Sequence, residues 1–132
     1  MTLPDEPGPH ALPGGEYVRE RAASPGRDMT RPPEPAPLAV PVYDNHTHLE
    51  IKDGEAFGYR EALDAAERSG VAGVIQVGGD VPSSEWSAAL AAADPRVLAA
   101  VALHPNEAPG YADDDTLFDA LGRIDELAAQ PR

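Results

Sequence analysis

Val42-Tyr43-Asp44-Asn45-His46-Thr47-His48-Leu49-Glu50 places two histidines two residues apart at the end of an apolar run. Side chains two apart on a β-strand point to the same face. Both imidazoles are therefore predicted to converge on one point, as a divalent cation requires. Asp44 and Glu50 are even-numbered like the two histidines and are expected to share that face while strand geometry lasts. The alternative is a solvated strand face or a histidine bonded to backbone. The order of apolar strand, then Asp, then His-x-His weighs against it, because a bare two-residue spacing recurs by accident and this ordered string does so less often.

Two more apolar runs follow. Val71-Ala72-Gly73-Val74-Ile75-Gln76-Val77 ends in Gly78-Gly79, and Val97-Leu98-Ala99-Ala100-Val101-Ala102-Leu103 ends in His104-Pro105. Rich in β-branched residues and bounded by turn formers, they read as strands buried on both faces. Helices are predicted between and after them, over residues 59–69, 84–93 and 116–129. Gly70 is placed to cap the first, serines after Pro82 to start the second, and Thr116-Leu117-Phe118-Asp119 to form a capping box on the third. The acids Asp113, Asp114 and Asp115 suit the positive end of that last helix better than a metal. Strand starts fall roughly thirty residues apart, the spacing of βα units in a parallel sheet. Right-handed crossovers put all three strand ends on one edge. His46, His48, Gly78, Gly79, Asp80 and His104 meet there, at the edge where parallel α/β folds collect their functional residues.

Composition sets the outer limits. Of fifteen prolines in 132 residues, ten lie between Pro4 and Pro41. Proline lacks a backbone donor and fixes φ, so Arg31-Pro32-Pro33-Glu34-Pro35-Ala36-Pro37 makes neither a helix nor a central strand. Residues 1–39 are expected to form a disordered or polyproline-like lead, and residues 40–132 the folded part. With no cysteine there is no disulfide framework and no thiolate ligand, which fits a reducing cytoplasm. No apolar span is long enough to cross a membrane, and the N-terminus lacks a signal-peptide pattern. The net charge is −13, and residues 40–132 hold seventeen acids against six bases. Such a surface repels nucleic-acid phosphates at long range, so there is no basic groove for nucleic acid and phosphate chemistry has to rest on a local centre.

Three stretches together resemble the TatD family of metal-dependent deoxyribonucleases and hydrolases: 42–49 with its Asp-Asn-His-Thr-His-Leu, 74–78, and Val101-Ala102-Leu103-His104-Pro105-Asn106-Glu107. The first resembles the family's opening Asp-small-His-x-His-Leu-Asp string and the last its Gly-apolar-His-Pro element, and the similarity runs over roughly residues 41–131. It implies an α/β fold of the (β/α)8 TIM-barrel, amidohydrolase type, of which this chain would supply the first three βα units. It implies that His46 and His48 are metal ligands and that His104 is a catalytic residue facing the substrate phosphate. The cofactor implied is magnesium, manganese or zinc, with two ions in a full-length protein. DNA or a small phosphodiester is the implied substrate. Asn45, Glu50 and Ala102 depart from the family's usual residues without removing a ligand.

The family's later strands carry a bridging glutamate, further histidines and an aspartate, and the sequence stops before the fourth strand. The chain is therefore expected to be an N-terminal fragment of a longer product, inactive alone, or else a degenerate piece without activity. Two other readings remain open at this point. One is a different barrel hydrolase, of the amidohydrolase or PHP phosphoesterase type, against which the His104-Pro105 element argues. The other is a non-catalytic interaction module whose proline-rich lead occupies an aromatic groove.

Overall fold

In the computed structural model, residues 17–20, 25–52 and 58–131 are described. Strand β1 is Arg19–Glu20, β2 is Val42–Thr47 and β3 is Ile51–Lys52. Then come α1 (Tyr59–Arg68), β4 (Val71–Val77), α2 (Val81–Ala93), β5 (Val97–Ala100), a 3-10 turn over Ala108–Tyr111 and α3 (Asp114–Ala128). The main sheet is parallel, in the order β2-β4-β5, so strands alternate with helices as the thirty-residue spacing predicts. A second, two-stranded parallel sheet pairs β1 with β3. Among the described residues the main sheet is open, with three strands.

The core forms where the helices lie on β4. Tyr59 and Leu63 of α1, Val74 of β4, Trp86, Leu90 and Ala91 of α2, and Val97 of β5 are buried as one cluster. The Tyr59 and Trp86 rings meet edge to face, with centroids 5.6 Å apart, a geometry that aromatic quadrupoles favour. Burial on both faces, expected of all three strands, holds for the middle of β4 alone. The residues of β2 are exposed or half-exposed, with Tyr43 73% exposed, and Leu98 of β5 is 46% exposed. The reason is topological: in a three-stranded order the outer strands are edges.

Local chemistry corrects several predicted boundaries. Helix α2 begins at Val81, three residues before the expected start, because Asp80 is its cap. The Asp80 carboxylate accepts from the Ser83 N–H at 2.9 Å, and the Ser83 hydroxyl accepts from the Asp80 N–H at 3.1 Å. Pro82 then sits in the first turn, where its missing donor is one the helix leaves unused. Strand β5 ends at Ala100, and residues 101–104 run on without strand pairing. Gly70 does close α1, at φ +91° in the left-handed region that glycine adopts without strain.

Helix α3 is capped by Asp113, not by a box beginning at Thr116. Its carboxylate accepts from the Thr116 hydroxyl at 2.7 Å and from the Thr116 N–H at 2.8 Å. These two bonds hold the Asp113 pKa below the ordinary aspartate value, the hydroxyl bond being the larger cause. A carboxylate with a depressed native pKa contributes stability above its unfolded pKa, and that contribution is lost as pH falls through the native value. The start of α3 is thus expected to fray on acidification below the usual aspartate range, with Thr116 amide shifts reporting it by NMR. Asp113→Asn, still a good cap, should remove that pH step; an unchanged step would assign it to another group.

The lead was expected to be unpacked. Residues 1–16 and 21–24 lie outside the described residues, but the described part of the lead lies along the α/β unit. Tyr17 stands against Trp86, with ring centroids 6.3 Å apart. Arg68 of α1 makes a two-pronged bond to Glu34, at 2.9 and 3.0 Å. Arg31 reaches Glu61 at 2.8 Å, and the Leu38 N–H donates to the Ser69 carbonyl at 3.1 Å. Proline forbids helix and central strand, but it leaves an extended chain free to dock by its other side chains.

Candidate metal centre

Strand β2 ends at Thr47, which places His46 in its last pleat and His48 just past its end, at the C-terminal edge. His46 Nε2 and His48 Nε2 are 3.3 Å apart, their rings near perpendicular with centroids 5.1 Å apart. His48 Nδ1 lies 3.0 Å from the Val77 carbonyl at the end of β4. A carbonyl only accepts, so Nδ1 carries the proton and Nε2 presents its lone pair. That is the tautomer a metal-binding imidazole needs, set by a backbone bond at its far nitrogen. Two nitrogens bound to one tetrahedral cation at ~2.05 Å lie ~3.3 Å apart, so the separation of this pair matches that of two ligands on one divalent ion. No third His, Asp, Glu or Cys among the described residues joins them to form a complete metal-holding group.

His104 belongs to the same opening. Its N–H donates to the Gly79 carbonyl at 2.7 Å, which pins the end of the β5 extension to the end of β4. The Asn106 N–H donates to His104 Nδ1 at 3.1 Å, which leaves the ring proton on Nε2. His104 is thus a donor at its outer nitrogen, the opposite of His48. His46, His48 and His104 line one cleft of about 350 Å³ with Gly78, Gly79, Asn106 and Glu107.

The carboxylates behave differently from the alternation rule. Asp44 turns back on its own backbone, accepting from the His46 N–H at 3.0 Å. It lines the groove beneath the proline-rich segment, away from the histidine cleft. The pairing register of β2 with β4 shifts between Asp44 and Thr47, and a bulge resets which way side chains face. Glu50 is 1% exposed. Its Oε2 accepts from the Gln76 side-chain amide at 2.6 Å, and its Oε1 stands 3.6 Å behind His48 Nδ1. The Gln76 carbonyl oxygen in turn accepts from the Leu49 N–H at 2.8 Å. Asp80 is engaged as the α2 cap.

Two contributors escaped the sequence reading. Gln76, 0% exposed, braces Glu50 and the end of the histidine strand; its one visible signal is a polar residue inside an apolar strand. Arg19 lines the cleft and pairs with Glu107 at 3.0 Å; nothing in a proline-rich lead marks it out. Glu107 raises the Arg19 pKa, and burial followed by the charge of Asp80 raises that of Tyr17.

A parallel α/β unit whose strand ends gather a histidine pair and a third histidine has its candidate site at the C-terminal edge, where such folds collect functional residues. Residues 43–132 match the model of the TatD-related DNase family, and the chain belongs to that family. It is 38% identical over 93 residues to a Mycobacterium tuberculosis (strain ATCC 25618 / H37Rv) protein described as an uncharacterized metal-dependent hydrolase TatD. That stretch covers 69% of this chain and 33% of the relative, so the chain spans about a third of the length of the relative it matches. No solved structure matches the chain. No described helix is long and apolar enough to cross a membrane.

Proposed function

We propose that this chain supplies the first part of the metal centre of a phosphodiester hydrolase acting on DNA or a small phosphodiester. In this reading the whole protein is a TIM barrel of which β2, β4 and β5 are the first three strands, and it works in the cytoplasm. The observation that carries the reading is the Nε2 pair at 3.3 Å with His48 locked in the metal-binding tautomer. His46 and His48 hold the divalent ion, zinc, manganese or magnesium, and a second ion is completed by residues the family resemblance places on later strands. When bound, the metal supplies Lewis acidity toward a phosphoryl oxygen and nucleophilic water at neutral pH.

The remaining steps belong to this chain's own side chains. His104, protonated on Nε2, donates to a non-bridging phosphate oxygen or to the leaving oxygen. Asn106 holds that tautomer, and Gly79 holds the backbone that carries the ring. Glu50 stands behind His48 and favours the proton on its Nδ1. The chain alone is proposed to bind metal through two imidazoles and to give no turnover.

The test uses a protein that continues this chain through the later family strands. His104→Ala is expected to keep its metal content and to lose about 100-fold in turnover of an activated phosphodiester, the usual contribution of a positioned proton donor. An activated carboxylic ester assayed in parallel separates this activity from an amidohydrolase. Faster turnover of the ester than of the diester would overturn the phosphodiester reading.

A further inference from the structure

We propose that Arg19, carried into the cleft by a segment N-terminal to the family-matched residues, is a phosphate-binding side chain that recognises the substrate's charge. The inference rests on the phosphodiester reading and adds a recognition group to it.

The backbone of Arg19 is held by the strand pairing beside the histidines. Its N–H donates to the Glu50 carbonyl at 2.7 Å, and β1 pairs in parallel with β3, Arg19 opposite Ile51. Two residues earlier, Tyr17 packs on Trp86 beside the core. The segment is thus tied to the same short stretch that carries the histidine pair. Arg19 lines the cleft with His46, His48 and His104, and its side chain is 33% exposed, open to an entering ligand.

Charge gives the placement its meaning. The chain carries −13 overall, so a phosphodiester needs local positive charge to settle near it, from side chains as well as from a bound ion. Imidazoles that hold a metal are neutral, and Arg19 is the permanent positive charge among the described residues of the cleft lining. Guanidinium offers five donors in a planar fork that matches two phosphate oxygens. Glu107 engages Nη2 at 3.0 Å. That carboxylate holds the fork at the rim and is the anion that an entering phosphate displaces.

The experiment uses the full chain with thymidylyl-thymidine, which has a single anionic phosphodiester, and with its neutral methylphosphonate analogue, both titrated at low salt by NMR. Arg19→Ala is expected to lose about tenfold in affinity for the diester and nothing for the methylphosphonate, as removal of a charge-assisted pair requires. Arg19→Lys should recover part of that loss, since charge remains while the fork is gone. Glu107→Gln should bind the diester about threefold tighter by releasing the guanidinium. Zinc affinity, measured in parallel, should be the same in all variants. Failure of the unsubstituted chain to bind zinc would count against the metal centre and leave the diester comparison intact. Equal diester affinity for the unsubstituted chain and Arg19→Ala, or no diester binding by either, overturns the assignment of Arg19.

Discussion

His48→Ala is expected to lower the chain's affinity for zinc or manganese by about 100-fold or more, while leaving its melting temperature within a few degrees. A direct ligand contributes more than an outer-shell partner, whose loss already costs about 10–100-fold. The fold is spared because the His48 ring is 38% exposed and packs in no core cluster. His46→Ala should act alike, since the two nitrogens share one point of approach at 3.3 Å. His104→Ala serves as the contrast, and its metal affinity should stay near that of the unsubstituted chain. Cobalt absorption or calorimetric titration reads all three. Retention of full affinity in the His48 variant would remove the basis of the metal centre.

Gly78→Ala is expected to destabilise the fold by about 3 kcal/mol, the upper part of the range for forcing an atom into packed space. An added Cβ would lie 2.6 Å from Ser84 Cα and 2.7 Å from its nitrogen, atoms in the first turn of α2 that have no freedom to swing away. The strain would reach the cleft, because Gly78 stands between Val77, whose carbonyl orients His48, and Gly79, whose carbonyl holds His104. Weaker metal binding should therefore accompany the loss of stability. Gly122→Ala is the control: nothing lies within 4 Å of the position, and in a helix alanine should gain about 0.5–1 kcal/mol over glycine. Denaturant melts of the two variants test both signs. A Gly78→Ala protein as stable as the parent would mean that β4 and α2 do not approach so closely.

The legible parts of this protein are those written in short-range pattern. Val71–Val77 is predicted to the residue because an uninterrupted apolar run between Gly70 and Gly78-Gly79 leaves a strand no other limits. The helices follow from their apolar stripes, and α1 starts at the expected Tyr59, but α2 and α3 start three and two residues before their expected first residues. Asp80 and Asp113 outcompete the serines and Thr116 as caps, a contest decided by which oxygen reaches the free N–H groups. The pairing of His46 with His48, and the arrival of His104 beside them, are likewise readable, since period-two spacing and parallel βα topology suffice to bring them to one edge.

What the sequence by itself determined is therefore the βα alternation, the edge at which the histidines gather and the family to which the string belongs. Only the tertiary structure decided which acids take part. Asp44 obeys the alternation rule on paper, but a register shift in β2 turns it into another groove. Glu50 becomes a buried brace because Gln76, 26 residues along the chain, meets it. Arg19 becomes a cleft residue because Glu107, 88 residues away, and the backbone of Glu50 receive it. The physical reason is the same in each case. Local pattern fixes the direction of a side chain relative to its own strand, whereas its partner is set by which distant backbone and side-chain groups packing brings within about 3 Å, the reach of a hydrogen bond.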